Sequence, residues 1–316
     1  MGISKKSWTG IAREATPGTA ITTPTLYIPT KTTFKGAKKR EYLNEERGDR
    51  NANYGVVDSI RQSSVDMKGP WYNDASTYLL IGAMGANSSA QPSSGTAPTV
   101  WKHSQTLADV PPSFTVMRSL DTKTYYIPYA VVEKFKLSFA SEGKLLECDT
   151  TMLGLYAQPQ VSPPTPTYSS LLPFAGYLPT ITLSSGVSTD IIDLDIEFDQ
   201  KITLWYPASG SQDYVTAYFG ERKCTVSFTA RFDTTAIYDL WRANTNDSLV
   251  VDFLGPLIAS TYHQELNISI PVISYDDVTH DLSKDNVMIK AKATALATTT
   301  QFMSTYVQNT ITSYTV

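Results

Sequence analysis

The sequence predicts a mainly β protein with few helices. Thr, Val and Ile recur along the chain together with 19 Tyr, and residues of these types favour extended strands. The 17 Gly and 18 Pro interrupt the chain often, as the turns between strands do. Apolar residues seldom recur at helical spacing. We therefore expect antiparallel sheets.

Length and composition exclude several classes of protein. The 316 residues, 41% of them hydrophobic, suffice for one large domain or two of about 150 residues each. A formal net charge of −4 argues against a strongly basic nucleic-acid binder, and two cysteines are too few for a disulfide scaffold. The sequence has no run of 18 apolar residues and no apolar signal-peptide core, so we expect no membrane anchor. The low charged fraction, 18%, indicates a surface of neutral polar residues or one covered in an assembly.

The first third of the chain is predicted to contain strands and a charged arm. A short strand is expected at 25–29. Residues 31–55 carry many charges without apolar periodicity, and we interpret them as a long loop or an extended hairpin arm. The alternating residues 56–69 then predict a strand.

One helix follows that strand. Asn73 or Asp74 is a suitable N-cap, and Gly82 and Gly85 are expected to end the helix. Residues 86–99, rich in Ser, Ala, Pro and Gly, predict a surface loop. Further strands are predicted at 112–118, 130–140 and 144–153, the last two joined by a tight turn at 142–143.

The proline-rich segment 158–180 at the midpoint of the chain predicts a stiff linker. Beyond it, residues 233–235 would cap a second helix at 236–243. The tail, 298–316, is rich in Thr, Gln and Asn, and we expect a surface strand or a partner-binding segment there. The other strands of this half are predicted at 180–183, 191–204, 214–232 (a strand pair), 248–254, 266–273 and 286–297.

The two halves share a weak internal repeat. The segment from Ser64 to Trp71 aligns with the segment from Thr225 to Phe232, and the same offset aligns Leu79 with Leu240. In both halves a strand and an aromatic residue precede a short helix that carries Leu. Coincidence between two generic β segments is the alternative to duplication. On the duplication hypothesis the domains are 1–157 and 181–316, joined by the linker 158–180.

Catalytic and metal-binding patterns are not found in the sequence. His103, His263 and His280 are isolated from potential co-ligands, and we interpret them as ordinary surface histidines. Cys148 and Cys224 fall in predicted strands and are expected to be buried free thiols. Nucleophile-elbow, Walker and dinucleotide-binding motifs do not occur. We therefore predict no enzymatic activity, no catalytic or metal site and no cofactor.

One acidic segment stands out. In a strand, Asp193, Asp195, Glu197 and Asp199 would share one face, while the apolar residues between them would face the core. A solvated outer face explains this pattern. A second reading is a surface that repels a polyanion or orders cations, because like charges at this spacing cost stability. A calcium site is a third reading, but carboxylates spread along a strand do not converge on one ion.

Several segments in order carry a family resemblance. They resemble those of a major tail tube protein of long-tailed (siphovirus-like) bacteriophages: Ile11 to Ala20, the arm around Arg47-Gly48, the strand ending Met67-Lys68-Gly69-Pro70, the helix closing Ile81-Gly82-Ala83-Met84-Gly85, and Ile270 to Tyr275. The resemblance covers most of the chain. This chain is about twice as long as many such proteins.

The resemblance implies a fold and an assembly. The expected fold is two tandem tail-tube-like β-sandwich or half-barrel domains, each with a short flanking helix and long loops. The implied function is that of a structural virion subunit, which self-assembles into stacked rings that form the conduit for DNA ejection. A ring of three chains with pseudo-sixfold symmetry is favoured, with a hexamer as the alternative. Other implied partners are the tape measure, tail terminator and distal tail proteins, with DNA as transient, non-specific cargo. The location would be the virion tail, assembled in the host bacterial cytoplasm.

Two groups of residues acquire candidate roles from this resemblance. Asp193, Asp195, Glu197 and Asp199 become candidates for the lumen wall, where negative charge would keep DNA from sticking. Residues 131–139 are their candidate counterpart in the first half, where lysines would make the lumen charge non-uniform. Candidates for contact between rings are the charged residues of the arm: Lys35, Lys38, Lys39, Arg40, Glu45, Glu46, Arg47 and Arg50.

Two other function classes remain open at this point. The Tyr and Trp content permits a carbohydrate-binding or adhesin-like β-sandwich module. An enzyme on a β scaffold is the third class, for which the sequence offers no catalytic cluster.

Overall fold

The computed structural model describes residues 6–47, 52–160, 162–184, 186–188, 190–282, 286–298 and 301–314. Strands dominate this part of the chain, which also contains two short helices. The elements of the first half are β1 Trp8–Arg13, β2 Leu26–Ile28, β3 Lys31–Leu43, β4 Gly55–Pro70, α1 Thr77–Met84, β5 Gly85–Ala90, β6 Trp101–Leu107, β7 Phe114–Ser119, β8 Thr124–Ala140, β9 Glu147–Gly154 and β10 Gln158–Gln160. Those of the second half are β11 Pro179–Leu183, β12 Gly186–Ser188, β13 Ile191–Trp205, β14 Thr216–Arg231, α2 Ala236–Arg242, β15 Asp247–Ala259, β16 Tyr262–Asp281, β17 Met288–Ala295 and β18 Ser304–Asn309.

The strands form one long antiparallel sheet and a layer of outer strands. The long sheet runs in the order β3-β4-β9-β8-β13-β14-β17-β16, so the two halves meet where β8 pairs with β13. The outer strands pair in the orders β2-β1-β7-β8-β10 and β12-β11-β15-β16-β18-β6-β5. The strands β8 and β16 are long enough to take part in both layers. A continuous apolar core includes residues from both layers and α1.

The two halves repeat the same pairing order. Each has a hairpin (β3–β4 or β13–β14), a helix, a second hairpin (β7–β8 or β15–β16) and a returning strand (β9 or β17). The returning strand pairs with β4 and β8 in the first half, and with β14 and β16 in the second. The short strands β10 and β18 then pair with the beginnings of β8 and β16.

The pairing register is repeated as well. The Lys31–Lys68 pair of the first hairpin corresponds to Asp193–Thr229 in the second, and the second strand of each hairpin, β4 or β14, has an extra residue at the same later point. Bulges also occur at matching places in β8 and β16, between the strand pairings with β9 and β17. A β-bulge is a specific structural feature of a fold and not a random irregularity. The correspondence therefore extends from element order to single residues.

The halves differ around their helices. Every residue of α1 is buried, and α1 contacts β5, β6 and β8. In α2 no residue is buried, and in the described residues β15 follows it directly, without a counterpart of the β5–β6 hairpin. The β5–β6 hairpin pairs with β18 and so joins the first half to the end of the chain.

Several sequence predictions about elements are confirmed and several are wrong. The predicted arm is the β3–β4 hairpin, and Gly85 ends α1 with a φ of 101°. Gly82 lies inside α1 instead of ending it. A Cβ at this position would come within 2.6 Å of the Val132 side chain, so only glycine allows this close contact between α1 and β8. Residues 86–90 are not a loop but part of β5, and the strand pair expected at 214–232 is the single strand β14.

The C-terminal prediction is also wrong. The described part of the segment 298–316 contains β18, which lies between β16 and β6 and is largely buried. It is an interior strand of the outer layer because it pairs on both sides, and Thr305, Val307 and Asn309 are accordingly inaccessible to solvent or nearly so.

Candidate functional site

The acidic strand predicted from the sequence is β13. Leu194, Ile196 and Phe198 are buried in the core, which confirms the predicted alternation. The four carboxylates at 193, 195, 197 and 199 lie on the opposite face, where they are half-buried. The strand is central in the long sheet, so this face is flanked by side chains of β8 and β14.

Lysines of β8 neutralise part of this acidic row. The Lys136 Nζ atom lies 3.0 Å from a carboxylate oxygen of Asp195, and the Lys134 Nζ atom lies 3.3 Å from one of Asp199. The hydrogen bond to Asp199 raises the pKa of the Lys134 ammonium, which favours its charged form. The face that carries the four carboxylates is therefore a mixed ionic surface and not a uniformly negative one.

The same alternation extends across the whole long sheet. We call its solvent-side surface the polar face, defined by the outward side chains of the eight paired strands. Acidic and basic side chains are mixed there: Lys31, Lys35, Lys68, Lys134, Lys136, Lys223, Arg231, Lys290 and Lys292 against Asp66, Glu133, Glu147, Asp149, Asp193, Asp195, Glu197, Asp199, Asp276, Asp277 and Asp281. Ser and Thr occupy most of the positions between them, including Thr225, Ser227 and Thr229 on β14.

Many of the cations on the polar face are engaged by carboxylates. Besides the two pairs between β8 and β13, Lys35 lies 3.6 Å from Asp66, and Lys290 lies 2.7 Å from Asp281. The hydrogen bond to Asp281 raises the pKa of Lys290. An ammonium held in this way has fewer donors left for a passing anion. The face therefore offers fewer free cations to an anion than its number of lysines alone would indicate.

The arm is the projecting part of the β3–β4 hairpin, where the two strands extend beyond the pairing with β9. Most of its candidate residues pair within the arm: Lys38 and Arg40 with Asp58, Lys39 with Glu41, and Arg47 with Glu45. Lys35 instead lies at the base of the hairpin, on the polar face. Glu46 is exposed, and Arg50 lies outside the described residues.

The tip of the arm also exposes apolar side chains, which the sequence analysis missed. Tyr42 is 61% exposed, and Val56 and Val57 are about half exposed. The second hairpin repeats this feature with Trp205 and Tyr218, whose rings lie 6.5 Å apart. In the sequence, the signal for this feature was the Val56-Val57 pair, which follows a run of charged residues. Exposed apolar groups at corresponding places in two projecting hairpins are typical of contact surfaces.

The two hairpins contact each other. The Arg61 guanidinium donates two hydrogen bonds of 2.7 Å to the Asp213 carboxylate, and the Arg61 amide donates to the Gln212 carbonyl at 3.0 Å. The Tyr206 hydroxyl donates to the Gln62 side chain at 2.8 Å. These contacts hold the arm of the first half against the hairpin of the second half.

The histidine prediction is wrong for His103, which is buried between β5 and β18. Its Nδ1 atom lies 2.7 Å from the Ser89 hydroxyl and its Nε2 atom 2.8 Å from the Ile311 carbonyl. Burial lowers the pKa of His103, so the neutral ring is favoured. It acts as a structural connector between the β5–β6 hairpin and the C-terminal segment.

The thiols are buried and free, as predicted. Burial raises the pKa of both Cys148 and Cys224 to about 12, which keeps them protonated and unreactive. Within the described residues, no group of three or more His, Cys, Asp or Glu is placed to hold a metal ion. In the same part of the chain, no helix has the length and apolar character needed to span a membrane.

Comparison with known proteins agrees with the geometry. The family model for the phage tail tube protein matches residues 6–306, nearly the whole chain. A search of curated protein sequences found no significant match. Subunits of this family are structural components of the virion tail rather than enzymes. The polar sheet, the projecting hairpins and the family match lead to one conclusion: the chain belongs to the phage tail tube protein family.

Proposed function

We propose that the chain carries two tube domains, 1–157 and 181–316, joined by the linker 158–180, and that three copies form a ring of six domains. The main support is the repeated register of the two halves, including the bulges of β4 and β14. A protein whose halves pair through β8 and β13 already contains one of the joints that such a ring needs. Closing the sheet around a ring would also remove its open edges. Six single copies per ring are the alternative.

In this proposal the polar face lines the lumen. Carboxylates such as Asp195 and Glu197 would repel the phosphates of DNA, while most neighbouring lysines are occupied by ion pairs. Binding to DNA strengthens with each phosphate that a free Lys or Arg neutralises. A face with mixed and largely paired charges would therefore keep DNA a transient, non-specific cargo that can slide during ejection.

The arms would join successive rings. Their ion pairs are already satisfied within the hairpin, so charge alone offers little new contact energy. The exposed apolar side chains at the tips, Tyr42, Val56 and Val57, are better suited to supply the contact. The charges around them would then set the orientation of the contact.

A tube protein also meets other tail proteins. Within the virion tail we propose contacts with the tape measure protein inside the tube, and with the tail terminator and distal tail proteins at its ends. We further propose that assembly takes place in the host bacterial cytoplasm. No observation on the described surface favours the carbohydrate-binding or adhesin-like alternative.

Electron microscopy of the purified full-length chain tests this proposal. We expect rings or tubes with six repeating features and a pore wide enough for duplex DNA, and native mass spectrometry should count three chains in each ring. Six chains in each ring would support the hexamer alternative. A chain that stays monomeric at high concentration would contradict a self-assembling role and would reopen the adhesin-like alternative.

A further inference from the structure

We propose that β16 of one copy pairs antiparallel with β3 of the next copy, with Thr279 directly opposite Lys35. The inference rests on the proposed ring function and specifies the contact that would close the ring. It follows from the joint between the two halves, which the chain contains already.

The internal joint is a ladder of seven residue pairs between β8 and β13. It places Lys136 opposite Glu197 and Lys134 opposite Asp199. The ladder continues the long sheet without a break, because β8 pairs with β9 on its other side and β13 pairs with β14. A ring built from repeated halves needs the same ladder at every boundary, including those between chains.

The repeated registers transfer this ladder to the boundary between chains. Lys35 pairs with Ser64 as Glu197 pairs with Thr225, so Lys35 takes the place of Glu197. In the same way β16 takes the place of β8.

On β16 the residue that corresponds to Lys136 is identified by the bulges. Lys136 pairs with Asp149 two residues after the β8 bulge, and Thr279 pairs with Lys290 two residues after the β16 bulge. Thr279 therefore meets Lys35, and by the same register Asp277 meets Ala37 and Asp281 meets Thr33.

Both edges are open in the single chain. Among the described residues, β3 pairs only with β4, and residues 273–281 of β16 pair only with β17 in the long sheet. The helix α2 contacts β16, as α1 contacts β8. Since α1 leaves the edge of β8 free to pair with β13, α2 is expected to leave the edge of β16 free as well.

The charges of the two edges are complementary. On the polar face β3 carries Lys31 and Lys35, whose side chains are exposed. The edge of β16 carries Asp277 and Asp281, one on each diagonal of Lys35 in the proposed register. The internal joint uses the opposite arrangement, with lysines on β8 and carboxylates on β13.

This reversal of sign disfavours the wrong joints. Pairing β8 with β3 of another copy in the same register would place Lys136 opposite Lys35. Pairing β16 with β13 of another copy would place Asp277 opposite Asp199. Like charges directly opposite each other in a sheet destabilise the pairing. These repulsions favour a ring in which each first half lies next to second halves on both sides.

Disulfide trapping tests the register. In the variant K35C/T279C the two new thiols face each other across the proposed joint, at a spacing that a disulfide can span. In the matched control K31C/T279C the first thiol is displaced by four residues, about 13 Å along the strand. The native thiols of Cys148 and Cys224 are buried and protonated, so they should add little background.

We expect oxidised K35C/T279C assemblies to give a ladder of covalent oligomers on a non-reducing gel, ending at the number of chains in the ring, with most chains crosslinked. The control should remain monomeric on the gel. The second in-register pair, A37C/D277C, repeats the measurement with a different substitution at each edge. Equal crosslinking in the control, or no crosslinks in both in-register variants, would overturn the register.

The outcome separates this inference from the function on which it rests. If the unmodified chain forms rings by electron microscopy and neither in-register variant crosslinks, the register is wrong and the tube function stands. If the unmodified chain forms no rings and the variants form no intermolecular crosslinks, both are overturned.

Discussion

The contact between the two hairpins allows a quantitative test. Arg61 and Asp213 are joined by two hydrogen bonds of 2.7 Å, and their side chains are only 34% and 23% exposed. Two unit charges about 4 Å apart attract each other by about 4 kcal/mol at an effective dielectric constant of about 20. Ordering the arginine side chain and desolvating both groups offsets about 2–3 kcal/mol of this. We therefore expect a coupling free energy of about 1–2 kcal/mol.

A double-mutant cycle measures this coupling. Urea unfolding of the native chain, R61A, D213A and the double variant, at concentrations where the chain is monomeric, isolates the interaction from the effects of each truncation. The matched control is the Arg40–Asp58 pair in the arm, which is 53% and 36% exposed and should couple by less than about 1 kcal/mol. A coupling for Arg61 and Asp213 no larger than that of the control would refute the reasoning that partial burial strengthens this bridge.

Three further predictions concern the arm, the polar face and the buried histidine. Replacing residues 41–57 with an Asn-Gly turn removes the apolar tip and should leave rings that no longer stack; tubes of normal length would contradict the role of the arm. The double variant D195N/E197Q frees Lys136 without placing a like charge opposite it, so it should still assemble but slow genome delivery; normal delivery would mean that this face does not line the DNA path. Burial holds the pKa of His103 below its value in the unfolded chain, so in acid the unfolded state binds more protons than the folded state. The free energy of unfolding should therefore keep its full value above about pH 6.5 and fall below that pH by up to about 1.4 kcal/mol per pH unit. Urea unfolding across pH should show this loss in the native chain and less of it in H103Q; identical profiles would exclude His103 as the cause.

The sequence predicts those parts of this fold that depend on local patterns. The alternation in β13 predicted both its core residues and its charged face, because a strand has a strict period of two. The alignment of the segments that begin at Ser64 and Thr225 predicted one strand in each half, and these strands are β4 and β14. Both inferences needed only residues within one or two elements.

Non-local pairing explains the misses. The burial of His103 depends on Ser89 and on the Ile311 carbonyl, which come from distant parts of the chain. The interior position of β18 depends on β6, whose hairpin has no counterpart among the described residues of the second half. The mixed charge of the polar face was anticipated from the lysines at 134 and 136, but the pairing of β8 with β13 that brings them to Asp195 and Asp199 has no local signal.

The β5–β6 hairpin has a geometric consequence for any ring of three such chains. The long sheet presents nearly the same pattern of strands from each half, so a polymer in the lumen would meet a wall that repeats about every 60 degrees. In the described part of the chain the hairpin occurs once, in the outer layer, so the outside of the same ring would repeat only every 120 degrees. The inner and outer surfaces would thus have different rotational symmetries. Proteins that bind the outside of the tube could distinguish two orientations 60 degrees apart, which are nearly equivalent for the DNA inside.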